Sequence, residues 1–303
     1  MERNNKRGWG VNFFFNLLAP GSGLIASGAV KEGAVTLLAF FSFILILPFA
    51  TFEKGINPLK SFAVTVLIYV FLQISCLSNI REPGYARGGL QRRYLLAVVL
   101  FFLALAAAGN YFLITHRFAF YEVENLNTFP VLKTGDLVIV RKIYDKGYFD
   151  RGDSVLVRQE DGDMFIGRII AASGDTVEIK DGKPVVNEKN LPRKKMGRIS
   201  FDEGFFNDAL EIKGITAYQE GAGSKFYPIF HKNSVEEMDK EPVKLGDWEF
   251  FILADNRTTL HSLDSRKKGA VKADEIAGYP LSVVFSHNDD VPVDFTRIGL
   301  KIE

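Results

Sequence analysis

The sequence predicts transmembrane α-helices at the N-terminus followed by a mainly β domain that carries an inserted subdomain. Three observations predict it. Long apolar runs fill residues 33–51, 61–80 and 94–114 and then cease. From Phe118 onward, short runs of β-branched and aromatic residues alternate with turn residues. Late in the chain one such run, Phe250–Leu253, breaks into a loop dense in charged and hydroxyl side chains.

The opening residues 1–10 are polar and basic. Val11–Ala29 is apolar but interrupted by Ala19-Pro20-Gly21-Ser22-Gly23, which should break a helix. It is read as an interfacial or re-entrant piece. A cleaved secretory signal peptide, with Arg3, Lys6 and Arg7 as its basic region, is the competing reading, and the further long apolar runs argue against it. Each of the three long runs approaches the roughly 20 residues needed to cross a hydrocarbon core. Gln73 and Asn110, the polar exceptions, are expected to face neighbouring helices. Transport is disfavoured because no span carries a buried acid or base. The short loop before the third run holds Arg81, Arg87, Arg92 and Arg93, against Lys54 and Lys60 between the first two, while Arg3, Lys6, Arg7 and Lys31 lie before the first. This bias places the N-terminus in the cytoplasm and the domain after residue 116 on the extracytoplasmic (periplasmic) side of a bacterial inner membrane. The division expected is thus residues 1–116 in the membrane and 117–303 outside it.

In the second part, strands are expected at Leu137–Val140, Ser154–Val157, Phe165–Ala171 and Thr176–Lys180. Asp161-Gly162, Ser173-Gly174-Asp175 and Asp181-Gly182 would serve as turns. Residues 191–246 are more polar and poorly patterned, and are read as an insertion lying off the main sheet, with basic Arg193–Arg198 as a solvated hairpin tip. Strand pattern returns at Trp248–Leu253 and Leu281–Ser286.

Composition excludes several chemistries. A net charge of +1 offers no bulk attraction to nucleic acid, so no nucleic-acid partner is expected. The single cysteine, Cys76, permits neither an intramolecular disulfide nor a cysteine metal site. His116, His231, His261 and His287 lack metal-ligand spacing. Asp161-Gly162-Asp163 and Asn288-Asp289-Asp290 read as solvated acidic turns. Neither a metal nor a cofactor is expected.

The polar loop after Leu253 holds Asp255, Asn256, Arg257, His261, Ser262, Asp264, Ser265 and Arg266. Such a loop capping a buried strand either carries working groups or is a hydrogen-bonded structural turn. Asp255/Arg257 and Asp264/Arg266 would each make a charge pair. The order of residues, Ala254-Asp255-Asn256-Arg257 and then Ser262-Leu263-Asp264-Ser265-Arg266 with Gly269, resembles the last conserved box of the type I signal peptidases, roughly GDNR, a gap, then SxDSRxxG. Ala254 stands in place of the family's glycine, and the gap is about two residues longer.

Further stretches carry the resemblance, which covers about 118–286. Asn127-Thr128-Phe129-Pro130-Val131-Leu132-Lys133-Thr134-Gly135-Asp136 is similar to the nucleophile region SMxPTLxxGD, with Pro130, Leu132, Gly135 and Asp136 in register. Arg151-Gly152-Asp153 matches the RGD that opens the next strand. Gly167 through Val177 follows the general-base region KRVIGLPGDxV, with Arg168, Ile170, Gly174, Asp175 and Val177 aligned. The resemblance implies a serine nucleophile and a lysine base, but those positions hold Asn127 and Gly167. A serine hydroxyl needs an adjacent base, and a buried lysine supplies one. An asparagine amide and a glycine supply neither. Thr128 would point to the opposite face of an extended chain, Arg168 stays protonated, and Lys133 and Lys142 are expected to face solvent.

The resemblance therefore implies a catalytically inactive homologue that binds extended segments of exported or membrane-anchored proteins bearing signal peptides, or assists secretion, pilus or envelope-assembly machinery. Asn125, Thr128, Pro130, Asp136, Arg168, Asp255, Asn256, Arg257, Ser262, Asp264, Ser265 and Arg266 are its candidate groove or loop-stabilising residues. The alternatives are an active signal peptidase with an atypical catalytic group, and a structural subunit of a membrane complex.

Overall fold

The computed structural model describes residues 12–53, 57–79, 89–144, 148–196, 215–232, 239–258, 264–287 and 292–302. Ser262, His261, Arg198, Asn288-Asp289-Asp290 and most of the basic residues used for the topology argument (Arg3, Lys6, Arg7, Lys54, Arg81 and Arg87) lie outside it. The chain divides into two compact units, Met1–Arg117 and Phe118–Glu303.

In the first unit the break at residues 19–21 separates a helical stretch, residues 12–18, from a short helix α1 (Ser22–Ser27). Neither piece is long enough to cross a hydrocarbon core. Three long helices follow: α2 (Val30–Glu53), α3 (Pro58–Asn79) and α4 (Gly89–Arg117). All three are long and apolar enough to cross a membrane, with mean hydropathies of 2.3, 1.8 and 2.2 in their spanning windows. Glycine lets the broken piece approach α2: a Cβ on Gly21 would lie 2.4 Å from the Gly33 carbonyl oxygen, and one on Gly33 would meet Gly21 at 2.5 Å. The polar exceptions turn inward. Gln73 donates to the Asn16 carbonyl (2.7 Å) and accepts from Asn16 Nδ2 (3.3 Å), and Asn110 donates to the Ile44 carbonyl (3.1 Å). Such bonds satisfy a polar side chain in an apolar bundle.

Among the described residues, the second unit has fourteen strands. They are β1 (Phe118–Glu122), β2 (Asp136–Lys142), β3 (Ser154–Arg158), β4 (Met164–Ala171), β5 (Thr176–Lys180), β6 (Lys183–Val186) and β7 (Lys189–Asn190). Then come β8 (Arg193–Lys195), β9 (Ile215–Ala222), β10 (Lys225–Lys232), β11 (Lys240–Lys244), β12 (Glu249–Leu253), β13 (Val271–Lys272) and β14 (Ile276–Ser286). A four-residue helix α5 (Ser265–Lys268) sits between β12 and β13. Seven strands form the main antiparallel sheet in the order β1-β2-β14-β3-β4-β12-β13, beside a sheet β11-β5-β6-β7 and a sheet β10-β9-β8. β4 lies inside the main sheet and is buried along almost its whole length, which is why Phe165–Ala171 reads as a continuous rather than an alternating run.

The strands of residues 191–246 are more integrated than their polar sequence suggests. Ala222, Tyr227 and Ile229 join Ile170, Val177, Phe251 and Leu253 in one buried cluster, and β11 pairs with β5. Of the basic residues 193–198 expected at a solvated hairpin tip, Lys194 and Lys195 are exposed, Arg193 is drawn inward, and 197–198 lie outside the described residues. Arg193 starts β8, pairs with Glu220 across β9, and its side chain is only 11% exposed, because a buried carboxylate draws it inward.

Candidate functional site

The site grows from the end of β12. Its backbone there is held by the loop that follows: Ser265 Oγ accepts from the Ile252 amide (2.9 Å), and the Asp264 carboxylate accepts from the Ala254 amide (2.9 Å). Asp264 also caps α5 through the Arg266 amide (3.0 Å) and pairs with the Arg266 guanidinium (2.8 Å), which reaches on to the Arg257 carbonyl (3.2 Å). The Asp264/Arg266 pair thus forms as its spacing suggested. Both Asp264 and Ser265 are fully buried.

The Asp255/Arg257 pair does not form. Leu253 is in register with Arg168 on β4, and Arg168 takes the Asp255 carboxylate with two parallel bonds, Nε to Oδ1 and Nη2 to Oδ2, each 3.0 Å. This fork-to-fork geometry satisfies both oxygens at once, which a neighbour two residues along the loop does not match. The third nitrogen of Arg168 donates to the Gly152 carbonyl (2.8 Å), and its guanidinium lies 4.0 Å from the centre of the Tyr227 ring. Arg168 is therefore a buried cation held by the Asp255 carboxylate, the Gly152 carbonyl and the Tyr227 ring.

Arg257 turns instead to Glu220 on β9. Arg257 Nη2 donates to Glu220 Oε1 (2.9 Å), Arg193 Nε donates to Oε2 (2.7 Å), and the Tyr227 hydroxyl donates to Oε1 (3.1 Å). Burial alone would push the Glu220 carboxyl up, but Arg257 and Arg193 outweigh it and hold it below the usual range. Nearby, burial together with Arg193 and Arg257 pushes His231 down to about 4. Glu220, Tyr227, Arg193 and His231 were missed as partners of this loop. The sequence signal is a single acidic residue, Glu220, within the strand ITAYQEGA.

Residues 125–132 form a compact turn against this loop. The Asn127 carbonyl accepts from the Asn256 amide (2.9 Å), Asn256 Nδ2 donates to the Leu126 carbonyl (3.0 Å), and Asn125 Oδ1 accepts from the Asn127 amide (3.1 Å). The Phe129-Pro130 peptide is cis, and the Phe129 ring lies 5.1 Å from that of Phe230 on β10. The chain at Thr128 is a turn rather than an extended strand, so the opposite-face argument does not apply. Thr128 is 4% exposed, and among the described residues its hydroxyl has no hydrogen-bond partner. Lys133 is buried rather than solvent-facing, because its ammonium is drawn to Asp294 (2.8 Å). Asp136, fully buried, accepts from the Lys133 amide (3.0 Å) and from Arg297 Nε (2.9 Å).

Gly167 sits on β4 opposite Val155, one residue before Arg168. The space in front of it is filled. A Cβ there would lie 2.6 Å from Ile252 Cγ2, 2.9 Å from Phe165 Cε2 and 3.3 Å from the Leu253 carbonyl oxygen. Asn127 and Gly167 are thus linked through β12: Leu253 is paired beside Gly167, and Asn256, three residues on, holds Asn127. The turn, the β4 position and the loop are thereby brought together. Among the described residues, no group of His, Cys, Asp and Glu is placed to hold a metal ion.

The chain is similar in sequence to known proteins. The chain is 26% identical over 202 residues to signal peptidase IB of Staphylococcus aureus (strain Mu50 / ATCC 700699), covering 64% of this chain and 92% of that one. It is 30% identical over 174 residues to signal peptidase I S of Bacillus subtilis (strain 168), covering 57% and 79%. A crystal structure of a signal peptidase I from Enterococcus faecalis V583 aligns over 44% of this chain and 97% of its own, at 20% identity and a TM-score of 0.25. The family model for signal peptidase, peptidase S26, matches residues 92–285, and the chain belongs to that family.

Proposed function

We propose that this protein is a catalytically inactive signal peptidase I-like membrane protein that holds extended segments of exported or membrane-anchored proteins and releases them uncut, in support of secretion or envelope assembly. The observation that carries this reading is the packing at Gly167. A lysine base there would have to project through space taken by Ile252 and Phe165. Asn127, at the nucleophile position, carries an amide that is neither usefully nucleophilic nor basic. The surrounding scaffold is nevertheless held by well-formed polar contacts, Arg168 to Asp255, Arg266 to Asp264 and Arg297 to Asp136. Recognition of an extended segment relies on backbone hydrogen bonds and shallow side-chain pockets and needs no nucleophile. In this reading the three apolar helices anchor the chain in a bacterial inner membrane, with the N-terminus cytoplasmic and the β domain extracytoplasmic.

One observation favours a second reading, an active peptidase with an atypical nucleophile: the buried, unpartnered hydroxyl of Thr128. Against it, no base bonds to that hydroxyl, and an unactivated hydroxyl is a poor nucleophile.

The test is cleavage of a preprotein with an Ala-x-Ala site by the full-length protein in detergent. Three proteins are compared: native, Asn127→Ser/Gly167→Lys, and the same pair with Ile252→Ala. The native protein is expected to leave the preprotein intact, and the triple variant to recover more activity than the double. Cleavage by the native protein overturns the proposal, and Thr128→Ala then tests the second reading. Failure of the native protein to bind a labelled uncleaved segment leaves the structural-subunit reading.

A further inference from the structure

The segment after β14 lies beyond the part of the chain that matches the family, residues 92–285, yet it returns to the turn that carries Asn127. Residues 292–302 are hydrogen-bonded along β14: Asp294 N to the Ser286 carbonyl (2.8 Å), Gly299 N to the Val283 carbonyl (2.7 Å) and Ile302 N to the Leu281 carbonyl (3.0 Å). From this seat two charged side chains reach the turn. Arg297 Nε and Nη2 engage the carboxylate of fully buried Asp136, and Nη2 also donates to the Val131 carbonyl (3.1 Å). Asp294 takes the Lys133 ammonium at 2.8 Å. Ile302 packs against the cluster that holds Leu132.

The contacts close a loop of dependence. Asp136, once held by Arg297, accepts from the Lys133 amide, so the guanidinium braces both ends of the stretch 131–136. Without Arg297 the carboxylate of Asp136 would be a buried charge short of its cation, a strongly unfavourable state. The bonds from Lys133 and Thr296 hold the Asp294 carboxyl down to about 2, so that carboxylate stays ionised throughout the neutral range.

We propose that Arg297 and Asp294 are positioning residues, and that the C-terminal segment is a clamp that sets the Asn127–Asp136 turn for engaging an extended peptide segment. The engagement half rests on the binding role proposed above; the clamp itself does not. Substitution of Arg297 should loosen the turn while leaving the sheet intact.

The test uses the full-length protein in detergent, with two readouts on the native chain and on Arg297→Ala, Arg297→Lys and Asp294→Asn. Amide hydrogen exchange across 128–136 reports the turn, and binding of a fluorescein-labelled peptide carrying an Ala-x-Ala sequence reports the site. Arg297→Ala should speed exchange at Leu132 and Lys133 by about tenfold or more, as expected for loss of charge-assisted bonds, and weaken peptide binding, with exchange in β4 unchanged. Arg297→Lys should restore part of both effects, since it keeps the charge but not the fork. Unchanged exchange in the turn for both Arg297→Ala and Asp294→Asn overturns the clamp. Faster exchange with unaltered peptide affinity overturns the positioning role. If the native protein binds no peptide, the binding role falls, and exchange alone decides the clamp. If Arg297→Ala fails to fold, Asp294→Asn, which keeps side-chain shape, carries the same comparison.

Discussion

The Cγ2 methyl of Ile252 stands 2.6 Å from the point at which a side chain on Gly167 would begin. The relationship is mutual: β12 packs its isoleucine closely on β4 because residue 167 has no Cβ. Gly167→Ala is therefore expected to overpack the sheet and cost about 1–3 kcal/mol. Ile252→Ala alone should cost about 2–5 kcal/mol as a cavity. Together they should cost less than their sum, since each relieves the other. Thermal unfolding of the four proteins gives the cycle, and strict additivity would mean that the two positions do not compete for space.

Arg168 is held by both oxygens of Asp255, by the Gly152 carbonyl and by the Tyr227 ring. Arg168→Ala leaves a buried carboxylate unpaired, and about 3–5 kcal/mol of stability should be lost. Arg168→Lys should recover only part of this, because an ammonium cannot make the fork or stack on the ring. A lysine variant as stable as the native protein in urea titration would show that charge alone matters there.

Glu220 is the carboxylate shared by Arg257 and Arg193. Glu220→Gln removes the counter-charge from fully enclosed Arg257 and should lower stability by about 3–5 kcal/mol. Arg193→Ala should cost less, because Arg257 still pairs with the carboxylate. Equal midpoints for the two variants in thermal unfolding would contradict this ranking.

His231 supplies a pH dependence with a definite sign. Its folded pKa is lowered from 6.5 to about 4, first by burial and then by Arg193 and Arg257. Between those values the unfolded chain binds more protons than the folded one, so stability rises with pH across the window. The domain should lose stability steadily as pH falls from about 6.5 towards 4. His231→Gln should flatten this part of the profile, and midpoints measured at several pH values would check it. An unaltered slope in the variant would assign the acid sensitivity to other groups.

Several parts of this protein were legible because they depend on local pattern. The three apolar helices follow from run length, and the strands at 136–142, 154–158, 164–171 and 176–180 follow from β-branched residues set between turn residues. The Asp264/Arg266 pair was also legible, since a side chain that caps α5 lies within reach of the helix's own second residue. Asp255/Arg257 was not. Its partners come from β4 and β9, 87 and 37 residues away, and the competition is decided by which guanidinium presents the better face. Arg193 and Lys133 were misplaced for a related reason: the carboxylates that draw them inward, Glu220 and Asp294, are distant in sequence.

The sequence by itself determined the order of apolar helices and β domain and the family motifs. Those are matters of residue type and spacing. Only the tertiary structure decided that the space beside Gly167 is filled by Ile252 and Phe165, that Arg168 belongs to Asp255, and that Arg297 braces Asp136. Each of these is a contest for one volume or one charge among groups from separate strands, and it is settled only when the strands are packed together.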